Sequence, residues 1–473
     1  MLSFINDFFQ KMRPAFNRTA THKWFIIAVI GIIMKWDNFG VTSIIRALNL
    51  DQCYYTSLLH FFHSTAFDLN MLNVLWQQFI ISQNMLLIVN NRVVIIGDDT
   101  YTTKEGKKIP ALTAIRQTSE TSSKPHFFRG HFWSCLAILQ SSGKKVFASP
   151  ISMKISRGLH QVSKNDEQIN SLEAILIAAC NFVYSTNTKA YIVLDAFFAT
   201  ATSFITAMKH TCQDSGEYLL HVIIRAKKNV VAYKKPVNPK NNKFKPKKYG
   251  DKIKLIKLFE TRIKKFSSAE AVIYGKKENI KFLCLDLIWK PIKTYVRFVL
   301  AQTSHGNIII MSSDLNLDAV KIIELYAYRT YIESMFNSFK NLICGFIYHF
   351  WSYYMPAKKR VAAKKNNAYI SDSNCPQKTM LTFLAIEKFV ACSFIAHGLL
   401  QILAVKFSET IFEYSFCWLR TESKEIPSDF ISKIAFTNFM KNSIIRFRNL
   451  PIMRFIISLQ AKRCNSSVFE KIS

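Results

Sequence analysis

Glycine and proline are scarce in this chain, 13 and 12 among 473 residues. That excludes collagen-like repeats and Pro/Gly-rich low-complexity chains. Acidic residues are scarce too: 31 Asp and Glu stand against 63 Lys and Arg, a formal net charge of +32. A globular protein with that excess of cations is built to meet a polyanion, either nucleic acid or an anionic membrane surface. Paired cysteines are missing. The ten cysteines are scattered singly, with no C-x-x-C, which argues against a zinc ribbon or a disulfide framework and fits a reducing, cytoplasmic setting. Uninterrupted long apolar runs are missing as well. Trp24–Met34 is eleven residues long, and Phe389–Val405 is broken by Ser393, His397 and Gln401; both read as buried helices rather than membrane spans. Asn6, Asp7 and Gln10 interrupt any signal-peptide pattern at the start.

What is present is ample material for a core: 49% of residues are hydrophobic and 14% aromatic, so wholesale disorder is excluded. Residues 1–90 read as helical, with apolar positions three and four apart in Val41–Leu48 and Tyr54–Leu75. The texture changes at Arg92, where Val93–Ile96 is a short apolar run ending in Gly97-Asp98-Asp99-Thr100, the pattern of a buried strand running into a polar loop. Strand-like runs follow at His131–Leu139, Val146–Met153, Tyr191–Leu194 and Tyr218–Ile224, alternating with helical stretches at Asp166–Tyr184 and Ala199–His210. That alternation indicates an α/β core. Between Arg225 and Lys265 there are sixteen Lys and Arg against two acidic residues, with Pro236, Pro239 and Pro246 among them. The expected form is an extended basic arm. It leads into β-rich runs at Ala271–Tyr274, Phe282–Ile288, Tyr295–Ala301 and Ile308–Met311. A helix then opens near Asp314–Asp318, where Asp oxygens can cap free backbone N–H groups, and runs to Leu342. A second basic loop, Lys358–Lys365, precedes the apolar helix Leu381–Val405. The resulting boundaries are a helical segment 1–90, a core in two parts (91–225 and 316–410), an inserted basic and β-rich block 226–315, and a basic helical tail 411–473.

Three acidic positions stand out. Asp98 or Asp99, and Asp195, each end an apolar run where a chain leaves a sheet and side chains converge on ligands. Glu333 lies mid-helix, and seven helical positions advance by about 700°, roughly 20° short of two turns. Tyr326, Glu333 and Lys340 therefore share a stripe, with Arg329 about 60° to its side. Taken singly, each of these is ordinary. Taken together, the spacing Tyr-x2-Arg-x3-Glu-x6-Lys, with Leu194-Asp195-Ala-Phe-Phe and Gly97-Asp98-Asp99-Thr100, resembles the DDE transposases of bacterial insertion sequences. More narrowly, it resembles the group named for the Tyr-Arg-Glu-Lys signature. The likeness runs from about Val93 to Phe350 and takes in Lys104-Glu-Gly-Lys-Lys, Gly130-His131 and Tyr348-His-Phe-Trp351.

The resemblance implies an RNase H-like mixed sheet with flanking helices, interrupted by the β-rich insertion and preceded by a helical domain that binds DNA ends. It implies metal-dependent cleavage and strand transfer at the ends of an insertion sequence. Asp98, Asp195 and Glu333 would hold two Mg²⁺ (or Mn²⁺) ions, hard cations that take carboxylate, water and phosphate oxygens and stabilise both ends of an in-line displacement. Tyr326, Arg329 and Lys340 would hold DNA phosphates, together with Lys243, Lys245, Lys247 and Lys248 of the arm. The partners implied are double-stranded DNA, as terminal inverted repeats and target, and a second copy in a synaptic dimer; no membrane is implied. The setting is cytoplasmic and nucleoid-associated. A derivative that binds DNA without catalysis is the alternative.

Which aspartate of the pair serves is open. In a strand, Val94, Ile96, Asp98 and Thr100 share one face, and Val93, Ile95, Gly97 and Asp99 the other. Related enzymes tend to show acid, any residue, then Ser or Thr, which selects Asp98 and makes Asp99 a turn residue; acid directly before Thr selects Asp99. His131, His349, Trp351 and Trp289 read as structural first, with base stacking a minor alternative for Trp289. The arm reads either as a solvated charge run or, with Tyr233, Phe244 and Tyr249 interleaved, as a track for a DNA backbone.

Overall fold

The structure is a computed structural model that describes residues 1–116, 127–143, 145–156, 171–211, 216–236, 248–359, 367–418, 425–446 and 450–461. The chain opens with α1 (Leu2–Met12), α2 (Thr19–Met34), α3 (Val41–Ala47), α4 (Tyr54–His63) and α5 (Leu69–Ile81). The apolar stretch Tyr54–Leu75 is two helices rather than one. Asp68 starts the second by accepting the backbone N–H groups of Asn70 and Met71, the bonds an N-cap carboxylate makes.

The sheet begins with β1 (Ile88–Val89) and β2 (Arg92–Thr103), joined by Asn90-Asn91, both with positive φ, as a tight hairpin turn requires. Then come β3 (Thr113–Arg116), β4 (Phe127–Ser142), β5 (Lys145–Ile155), α6 (Ser171–Thr186), β6 (Ala190–Leu194), α7 (Ala201–Ala207) and β7 (Leu220–Arg225). The inserted block supplies β8 (Val231–Tyr233), β9 (Lys252–Lys254), α8 (Leu258–Thr261), β10 (Ser267–Ile273), β11 (Lys276–Trp289), β12 (Thr294–Thr303) and β13 (Gly306–Ser312). Helices close the chain: α9 (Ala319–Ala327), α10 (Tyr331–Asn337), α11 (Pro376–Lys406), α12 (Ser408–Ser415), α13 (Asp429–Arg446) and α14 (Pro451–Leu459).

Among the described residues all strands belong to one mixed sheet, in the order β3-β4-β2-β6-β7-β13-β12-β11-β8-β9, with β1, β5 and β10 paired to its side. Pairing is parallel between β2, β6 and β7, and antiparallel elsewhere. This is the mixed α/β architecture expected of an RNase H-like protein. The inserted strands do not build a sheet of their own: β13 pairs with β7 through Met311 and Ile224 and so extends the central sheet outward.

The N-terminal helices share the core. One apolar cluster runs from Ile5 to Leu459, with α11 at its centre against β5, α2, α4 and α13. Among the described residues α11 alone has the length and apolarity to cross a membrane, and 94% of its apolar window is buried inside the protein. Ser393, His397 and Gln401 fit this interior because each has a partner: the Phe389 carbonyl, Asp429 and Ser149 respectively.

Candidate active site

The sheet opens where β2 and β6 part. Their parallel pairing ends at Ile96 and Val193, and β6 ends at Leu194. Asp195 is the first residue past β6, and Asp98 lies two residues beyond the last pair. The sequence reading that Asp98 and Asp99 end a strand needs correction. β2 continues to Thr103, because the β-forming residues Thr100-Tyr-Thr-Thr103 pair with β4 from Trp133 to Gly130. Only the parallel neighbour is lost, and that leaves Asp98 facing a gap in an otherwise continuous sheet.

Strand alternation sends the two aspartates to opposite faces. Asp98 Oδ2 accepts a 2.9 Å bond from Arg329 Nη1, and Arg329 Nη2 donates to Glu333 Oε1 at 2.8 Å. Asp99 accepts from the Ser134 hydroxyl of β4 at 2.8 Å, a partner within the sheet rather than the turn expected for it. The Tyr326 hydroxyl donates to Asp195 Oδ1 at 3.3 Å, and Arg225 at the end of β7 interacts with the same hydroxyl. The structure thus brings Asp98, Asp195, Glu333, Tyr326 and Arg329 together. Arg225 was visible in sequence only as the first residue of the basic arm.

The helical segment carrying Tyr326, Arg329, Glu333 and Lys340 is not one regular α-helix. Asp318 caps α9 through Val320 and Lys321, as its sequence position implied. A 3₁₀ turn at Tyr328–Thr330 then separates α9 from α10, and a π-helical turn, Ser338–Leu342, follows α10. The 3₁₀ turn winds more tightly than an α-helix and the π turn more loosely, so a single seven-residue spacing does not place Tyr326, Glu333 and Lys340. The π turn begins between Glu333 and Lys340. Lys340 Nζ lies 5.7 Å from the Tyr101 ring centre and 5.8 Å from that of Phe336. Burial lowers its pKa.

Burial raises the Asp98 pKa, opposed by Arg329 and the Asp99 N–H, and the like charges of Asp195 and Glu333 push it the same way. Tyr326 is pushed up to about 12, first by burial and then by Asp195. Three carboxylates that feel one another and lean on a guanidinium are a donor set suited to a hard divalent cation. The fit is partial: among the described residues no three acidic, His or Cys side chains stand close enough to ligate one ion, since Arg329 holds Asp98 and Glu333 to itself.

Below the π turn, three buried lysines from three parts of the chain converge on the carbonyls of residues 342–348. Lys35, just after α2, donates to Cys344 O at 3.2 Å. Lys104, just after β2, donates to Phe346 O at 2.7 Å and Tyr348 O at 3.0 Å. Lys433 of α13 donates to Leu342 O at 2.6 Å. Helix C-termini leave carbonyls without partners and favour cations; here ammonium groups fasten the loop. None of the three lysines has an ion-pair partner among the described residues. Burial lowers Lys104 to about 7 and Lys35 and Lys433 to about 8. Sequence reading noted Lys104 only as part of a motif and missed the other two, since nothing local marks a lysine that will be buried.

The remaining candidates separate clearly. His131 is fully buried, bonded to the Tyr348 hydroxyl and the Pro110 carbonyl, and so is structural. Trp289 packs edge-on against Phe204 at 5.3 Å. His349 is exposed, with enough of its ring desolvated to lower its pKa. The structural reading of Trp351 fails: the ring is 61% exposed, because Ser352 beside it takes the inward position. Lys248 is exposed, whereas Lys243, Lys245 and Lys247, with Phe244, lie outside the described residues.

Residues 11–138 match the family model of the DDE superfamily endonucleases. The match covers a little over a quarter of the chain and supports a DDE-type nuclease that acts on DNA. It includes Asp98 and Asp99 and stops short of Asp195 and Glu333. It also takes in α2 to α5. No curated protein matches the chain.

Proposed function

We propose that this protein is a transposase of the Tyr-Arg-Glu-Lys group, cutting and joining DNA at the ends of an insertion sequence. The observation that carries this is the Arg329 bridge, which gathers Asp98 from β2 and Glu333 from α10 beside Asp195, three acids from distant parts of the chain at one break in the sheet. Asp98, Asp195 and Glu333 would hold two Mg²⁺ or Mn²⁺ ions, which when bound supply an activated nucleophile and a stabilised leaving oxygen. Tyr326 and Arg225 orient Asp195, while Arg329 shields the carboxylates from one another. Lys340 and the arm lysines, Lys243, Lys245, Lys247 and Lys248, meet phosphates. The segments 1–90, 91–225, 226–315, 316–410 and 411–473 would divide the work as end binding, core, arm with insertion, core and basic tail, in a homodimer pairing two element ends.

The deciding experiment offers DNA carrying the short inverted repeats that flank the coding region. Cleavage in Mg²⁺, absent in EDTA and absent in Glu333→Gln or Asp195→Asn with the fold retained, supports the reading. Cleavage at the wild-type rate in EDTA, or by either variant, overturns it.

A further inference from the structure

We infer that the ledge formed by residues 107–108 and 351–359, with Lys378, binds unpaired DNA by stacking bases on Trp351 and Tyr353 between lysines. This rests on the DNA-cutting reading above and names the form of DNA held beside that site.

The ledge is built by backbone pairing. Ser352 N donates to Lys108 O at 3.0 Å and Lys358 N donates to Lys107 O at 3.0 Å, so the aromatic segment is fixed against the stretch that follows β2. Ser352 points inward, its hydroxyl on Thr379 at 2.9 Å. The residues on either side, Trp351 and Tyr353, therefore point out, 61% and 74% exposed. Rings left so far in water contribute little to the core, since aromatic side chains stabilise chiefly by the area they bury. Cations flank them. Lys108 Nζ sits 4.9 Å from the Tyr353 ring centre and donates to the Tyr353 carbonyl at 3.2 Å. Lys378 Nζ is 5.1 Å from the Tyr354 ring and bonds its hydroxyl at 2.9 Å. Lys107 and Lys359 are exposed. On the acidic side are Glu105 and Asp372, the latter paired with Lys358 at 2.9 Å.

Exposed rings beside lysines are the surface that single-stranded nucleic acid fits, because bases stack on the rings while phosphates meet the cations. A duplex hides its base faces and would use the lysines alone. Position agrees with this. From Asp98, β2 continues to Thr103 and the chain reaches Lys108 five residues later, so ten residues set an upper limit of about 35 Å between the Cα atoms of Asp98 and Lys108, close to one turn of duplex. Strands separated at the cut thus lie within reach.

The test measures binding of a labelled single-stranded oligonucleotide and its matching duplex by fluorescence anisotropy, with EDTA present so that no cleavage intervenes. Replacing either ring, by Trp351→Ala or Tyr353→Ala, should weaken single-strand binding by about fivefold to more than a hundredfold, the span of one lost stack. Duplex binding should hold within about twofold, and Trp351→Phe should retain most single-strand affinity. Unchanged thermal unfolding of the variants shows that the fold is intact. Equal affinity of wild type and alanine variants for the single strand, or equal losses on both DNA forms, overturns the ledge. Ring-dependent binding by a protein that cuts no DNA would sustain the ledge and overturn the transposase reading; cutting without ring dependence would do the reverse.

Discussion

Lys104 Nζ donates to the carbonyl of Phe346 at 2.7 Å, joining the end of β2 to the loop that follows the Glu333 helix with no carboxylate between them. The ammonium is buried and its pKa lowered to about 7. Unfolded, it returns to the ordinary lysine range, near 10.4. Between those values the unfolded chain binds more protons than the folded one, so stability rises with pH. Lys35 and Lys433 add the same sign from about 8 upward. Urea midpoints should therefore increase from pH 7 to pH 9.5, each lysine contributing up to about 1.4 kcal/mol per pH unit. Lys104→Met should remove part of that slope. A slope that is flat, or unaltered in the variant, refutes the assignment.

Arg329 is the one cation seen between Asp98 and Glu333 among the described residues. Arg329→Gln should cost about 1–2 kcal/mol at pH 7, since one carboxylate of the pair is half-buried and the other exposed. Millimolar Mg²⁺ should then raise the melting temperature of the variant more than that of the wild type, because an ion that binds only the folded state stabilises it by mass action. Equal shifts in the two proteins would show that these acids share no cation site.

The opposite faces taken by the two adjacent aspartates make them separable. Asp98→Asn should abolish metal-dependent cleavage and leave DNA affinity within about twofold. Asp99→Asn, which alters a bond to Ser134, should lower stability by about 1 kcal/mol and keep measurable cleavage. The reverse pattern in the same assay moves the metal-binding role to Asp99.

For the basic arm, salt is the probe. If Z phosphates are contacted on duplex DNA, log K against log salt should fall with a slope of about −0.9Z. Neutralising Lys243, Lys245, Lys247 and Lys248 together should flatten that slope. An unchanged slope returns the arm to a solvated linker.

Much of this was legible in the order of residues alone. Apolar runs and their alternation with helical periods announce β2, β6 and β7, because a strand buried on both faces needs continuous apolar residues. Asp318 announces the start of α9, because capping is local chemistry. Asp98, Asp195, Arg329 and Glu333 were named from spacing and resemblance. Three things were decided only in three dimensions. Where β2 ends depended on which neighbour continued: β4 ran on past Asp98 and β6 did not. The position of Lys340 depended on hydrogen-bond registers that change within one helix, which periodicity treats as uniform. The lysines holding residues 342–348 come from positions 35, 104 and 433, and their shared target exists only once three distant segments pack together. Local patterns are set by neighbours along the chain; partners that distant are set by burial, which no window of sequence contains.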